Sequence, residues 1–121
     1  MKKIALVFII ALKCNCGYAQ TDSVAIKEKL KLDILKQTKE GGRYDFFTVI
    51  KGHEYDGSQI KPGLFATNIE VALIKWGKVN HDLGVRTLQD AYAIFAEYKK
   101  RELNQKEKEC IKIGFNGELE K

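Results

Sequence analysis

Several residue types are scarce in this chain, and each scarcity removes a class of protein. There is one proline, Pro62, and no repeat or low-complexity tract, so no linker divides the chain. The three cysteines, Cys14, Cys16 and Cys110, show none of the paired Cys/His spacings that hold zinc. Only two histidines occur, His53 and His81, and they form no HExxH pattern. A phosphate-cradling glycine loop and a nucleophile elbow are also missing. The longest apolar run, Ile4 to Leu12, reaches about 14 Å as a helix, roughly half of a hydrocarbon core. No transmembrane segment is therefore expected in the chain that follows it.

What is present begins with an address. Lys2 and Lys3 precede the apolar run, and a more polar stretch from Lys13 leads to Gly17-Tyr18-Ala19, with small residues at both positions that a signal peptidase inspects. This leader resembles bacterial Sec signals, a resemblance confined to residues 1–19. It implies cleavage after Ala19 and a periplasmic or secreted destination, and the length of what remains, residues 20–121, sets the expectation of a single globular domain. Acylation as a lipoprotein is disfavoured, because Lys13 and Asn15 stand before Cys14 and Cys16 where a small residue is expected.

Cleavage changes the chemistry of what remains. It removes three lysines and no acid, so the formal charge falls from +5 to +2. A near-balanced surface of this kind gives no reason to expect nucleic-acid binding. Only Cys110 survives, which excludes an intrachain disulfide and leaves the fold resting on its apolar core. A buried thiol acting as a small hydrophobe is the favoured reading, with an intermolecular disulfide in a homodimer as the alternative.

Helical patterning dominates the mature chain. Residues 22–40 carry Ile26, Leu30 and Ile34 at spacings of four, after a Thr21-Asp22-Ser23 capping cluster and before Gly41-Gly42. Residues 64–79 place Phe65, Ile69, Ala72, Leu73, Trp76 and Val79 on one stripe, with Thr67 and Glu70 at capping-box spacing. Residues 87–109 read as one long helix whose Glu97–Arg101 and Glu102–Lys106 pairs are spaced for support on an exposed face. Tyr44 to Ile50 and Ile111 to Phe115 have strand-like composition, with a short helix between Gly42 and Gly52 and the end of the long helix as their equal alternatives. The expectation is a mainly α bundle of three or four helices with a minor β element at 44–50 and 111–115, and α+β as the alternative.

Function is constrained mostly by what is missing. His53, Asp56, His81 and Asp82 would make a metal or general-base site only if two separate loops converged. Turn chemistry explains the same residues more simply, so an enzyme is disfavoured and no cofactor or metal is implied. The segment from Gly52 to Gly63 is a long polar stretch bearing Tyr55, and such loops in compact domains commonly carry function. His53, Glu54, Tyr55 and Asp56 are therefore the candidate partner-binding residues. The leading expectation is a small exported protein-binding module, of inhibitor or immunity type, with a protein partner of unknown identity. The alternatives are a small exported enzyme using the His/Asp loops and a structural, envelope-associated helical protein.

Overall fold

The computed structural model describes residues 24–120, so the leader assigned to residues 1–19, with Cys14 and Cys16, lies outside the described residues. The chain separates into two units, Met1–Lys31 and Leu32–Lys121. In the first, the described residues 24–31 are helical. They leave Val24 and Ile26 in solvent and pair Lys31 with Glu28 at 3.4 Å. This helix, α1, runs over residues 24–38. Its part from Leu32 onward belongs to the second unit.

The second unit is mainly α with a two-stranded sheet. After α1 come a 3-10 turn at Thr48–Ile50, strands β1 (Gly57–Lys61) and β2 (Leu64–Thr67), and helices α2 (Asn68–Asp82), α3 (Leu88–Lys99) and α4 (Gln105–Phe115). The mainly α class is as expected, but the small sheet forms elsewhere. Residues 44–50 are not a strand, because Asp45 intercepts the local amides: its carboxylate accepts from Phe47 N at 3.2 Å, Thr48 N at 3.0 Å and Gly41 N at 3.1 Å. Those bonds fold the segment onto itself as an Asx-type turn. Residues 111–115 are not a strand either, since they complete α4.

The hairpin arises from Pro62-Gly63. Proline presets φ for the first turn position and glycine supplies the positive φ of the second, here +79°. Strands β1 and β2 pair antiparallel, Gly57 with Thr67 and Gln59 with Phe65, with an irregularity between Gln59 and Lys61. Consequently the stretch expected as helix over 64–79 opens as strand, and Phe65 is 67% exposed instead of lining the core. The capping box marks the true helix start: Thr67 Oγ1 accepts from Glu70 N at 3.3 Å while Glu70 Oε1 accepts from Thr67 N at 3.0 Å.

The expected single helix over 87–109 is two. Lys100 adopts φ 58° and ends α3, its amide bonding back to Ala96 and Glu97. Asn104 and Glu107 then form a second capping box that starts α4. Arg101 locks the junction by donating from Nη1 and Nη2 to the two Glu107 oxygens, each at 2.9 Å. Arg101 takes Glu107, and Lys106 takes Glu70 on α2 at 3.3 Å.

Glu107 is nearly buried. The hydrogen bond from Arg101 is the main influence on its carboxyl, holding it below the usual carboxylate range against the opposing effect of burial. A carboxyl lowered in the folded state stabilises the fold above its unfolded titration range, and that contribution disappears as pH falls through its folded value. Glu107→Gln should therefore melt below the parent at about pH 7, with the gap closing below about pH 4 as the parent's carboxyl is protonated. Melting curves across that range check it; a gap of constant size would contradict the assignment.

Helices α2 and α4 make the most extensive helix pairing of the unit, and glycine brings them together. A β-carbon on Gly77 would strike the carbonyl oxygen of Ile111, and one on Gly114 the carbonyl oxygen of Ile74. The two backbones thus touch at residues with no side chain to separate them. Around this crossing Trp76, Phe95, Ile34 and Ile111 are fully buried. The Trp76 and Phe95 rings meet at 4.8 Å and 58°, a tilted arrangement that aromatic quadrupoles favour.

Candidate functional site

The 53–56 segment is a turn held by its backbone, with His53, Tyr55 and Asp56 exposed and Glu54 half-buried. His53 N donates to Ile50 O at 2.8 Å and Asp56 N to His53 O at 3.2 Å, closing the turn. Two amides at the start of α2 then fasten it: Asn68 N donates to Asp56 O and Ile69 N to Glu54 O, both at 2.9 Å. The Asn68 side-chain amide adds a third tie, to His53 O at 2.9 Å. His53 Nδ1 and Asp56 Oδ2 lie 2.9 Å apart across the turn. Sequence composition marks this stretch as a loop, but the ties to α2 depend on pairings that only the folded chain shows.

Tyr55, in the middle of this fastened turn, is 85% exposed. Its backbone environment is ordered while its ring has given up little contact with solvent. That combination is what an interface anchor requires, because ordering costs are met before binding. Leu64 and Phe65 in β2, the strand that Gly57 and Gln59 pair with, are exposed as well. Sequence reasoning missed these two, having assigned Phe65 to a buried helix face; Pro62-Gly63 was the signal for the hairpin that exposes them.

His53, Asp56, His81 and Asp82 do not converge. The first pair is tied to Asn68 at the start of α2, and the second sits at its end. Thirteen helical residues separate those points, about 20 Å along the axis. Each histidine instead has its own carboxylate, His81 Nδ1 standing 3.7 Å from Asp82 Oδ1, and no group of metal-ligating side chains assembles among the described residues. The convergence of two loops that a joint metal or general-base centre would need is not formed, because the intervening α2 holds the two pairs apart.

Cys110 is buried in α4. Burial pushes its thiol up to about 11, so it is protonated at neutral pH and unsuited to nucleophilic work. This fits the small-hydrophobe reading. An intermolecular disulfide through Cys110 would require α4 to open.

No protein-family model matches this chain, and no curated protein or solved structure matches it.

Proposed function

We propose that this chain is a small exported protein-binding module that engages a protein partner through the 53–56 turn, with Tyr55 as anchor and His53, Glu54 and Asp56 around it. The observation that carries the reading is the exposure of Tyr55 on a backbone pinned by three hydrogen bonds to α2. An aromatic ring displayed on a rigid turn buries much area on binding while losing little conformational freedom. The exposed Leu64 and Phe65 extend the apolar surface available to such a partner. Export rests on the leader sequence, and an inhibitor or immunity role on the small size and the lack of a catalytic constellation in the sequence.

The reading makes a two-sided prediction. Tyr55→Ala should change stability by no more than about 0.5 kcal/mol, as substitutions at exposed positions do. On binding it should cost about 2 kcal/mol or more, roughly thirtyfold in affinity. Melting temperature and partner affinity measured on the same preparation check both sides. Loss of the fold would place Tyr55 in the core, and unchanged affinity would move the interface elsewhere.

A further inference from the structure

Helix α4 reaches its seat on α2 through a connection whose residues do not favour a turn. It meets α3 far less than it meets α2. What holds it is the α2 face where Gly77 approaches Ile111 and Ile74 approaches Gly114, together with the burial of Cys110, Ile111 and Phe115. Nothing in that seat specifies which chain supplies α4; only the connection over residues 100–104 does. An α4 from a second copy finds the same surface, the condition under which identical elements are exchanged between chains.

The connection, Lys100-Arg101-Glu102-Leu103-Asn104, holds no glycine and no proline. Its first four residues are good helix formers. It turns because Lys100 sits at φ 58° and ψ 35°, the one non-glycine residue with positive φ among the described residues. A side chain disfavours that conformation. The chain thus breaks a helix at residues whose own preference is to continue it, a conflict of local and global order. Specific bonds hold the break closed. Arg101 donates to both Glu107 oxygens and from Nη1 to Glu102 O, each at 2.9 Å, and Asn104 and Glu107 cap each other. In one continuous helix Arg101 and Glu107, six residues apart, do not face one another, while Arg101 stands four residues from Glu97.

We propose that this chain exchanges α4 with a second copy of itself: residues 100–104 join α3 and α4 into one helix, each α4 takes the α2 seat of the other chain, and the Arg101–Glu107 pair is the latch that opposes the exchange. The 53–56 turn is fastened to the start of α2 and is untouched, so the dimer displays it twice. The test refolds the expressed full chain from urea at about 10 μM and at about 1 mM and reads its mass by light scattering on a sizing column, since dimers form by mass action. Monomer is expected from the dilute sample and dimer from the concentrated one. In a dimer refolded from equal parts of isotope-labelled and unlabelled chains, isotope-filtered NMR should find the Gly77–Ile111 contact between chains. Arg101→Ala removes the latch and should raise the dimerisation constant at least about tenfold, whereas Lys100→Gly eases the turn, weakens a continuous helix and should lower it at least about tenfold. If Arg101→Ala does not fold, the parent and Lys100→Gly decide. The proposal is overturned if the parent stays monomeric after refolding at about 1 mM, if the Gly77–Ile111 contact in the dimer lies within one chain, if folded Arg101→Ala dimerises no more than the parent, or if Lys100→Gly dimerises as readily as the parent.

Discussion

Gly114→Ala is expected to be the most damaging small substitution in this protein. In an ordinary helix interior, replacing glycine by alanine gains about 1 kcal/mol through backbone entropy and helix propensity. At Gly114 the added carbon would land on the carbonyl oxygen of Ile74 and come within 3.0 Å of Lys78 N. Both are backbone atoms of α2, so no rotamer change relieves the overlap. Only a shift of α4 away from α2 does, and that shift opens the packing around Cys110, Ile111 and Phe115. Overpacking of a core commonly costs about 1 to 3 kcal/mol, and a backbone-on-backbone collision belongs at or beyond the top of that range. We expect a loss of at least about 3 kcal/mol in urea unfolding. Gly57→Ala is the matched control, since a β-carbon there meets nothing within 4 Å. A stabilised Gly114→Ala variant would mean that the helices cross further apart than described.

Trp76→Ala should produce a loss of comparable size by the opposite route, leaving a void. The indole is fully buried against Phe95, and its Nε1 donates to Thr38 Oγ1 at 3.0 Å. Thr38 passes the interaction on, donating to Ile34 O at 2.6 Å. Truncation therefore removes the ring, opens a cavity and leaves a buried hydroxyl without its donor. Aromatic-to-alanine changes in cores cost about 3 to 5 kcal/mol, against a total stability of about 5 to 15 kcal/mol for a small domain. Trp76→Phe separates the contributions, because it restores most of the volume and not the donor. It should recover more than half of the loss in denaturant unfolding followed by circular dichroism. Parent-like unfolding of Trp76→Ala would show that the ring is not core.

The parts of the fold that were legible in the sequence were those specified locally. The Thr67–Glu70 capping box, the Gly41-Gly42 stop and the Ala72, Leu73, Trp76 stripe each depend on residues within one or two turns of one another. The break between α3 and α4 was hidden by its composition. Residues 99–109 are rich in good helix formers with Glu and Lys spaced for mutual support, and propensity alone reads straight through them. What ends α3 is the left-handed Lys100 followed by Asn104 and Glu107, a capping signal of the same kind as Thr67 and Glu70 but set in a charged run. The hairpin was obscured for a different reason: Leu64 and Phe65 adjoin the stripe of α2 in sequence, and apolar character made them look like its first turn.

The candidate site was legible only as a location. Turn residues and Tyr55 pointed to the 53–56 segment, but the bonds from Asn68 and Ile69 that fix it join residues about fifteen positions apart, a separation that no local pattern encodes. The separation of the two His/Asp pairs, too, followed from the extent of α2 once its start at Asn68 and end at Asp82 were fixed.

The central claim, that Tyr55 presents the partner-binding surface, is tested most directly by photo-crosslinking from the neighbouring position. A benzophenone side chain placed at Glu54 in the expressed full chain reports what lies against the turn, and the same group at Lys36, exposed on α1, reports random encounters. The account predicts one discrete adduct from position 54, none of that mass from position 36, and its disappearance when Tyr55→Ala is added. No adduct from position 54, the same adduct from both positions, or an adduct indifferent to Tyr55→Ala would contradict it.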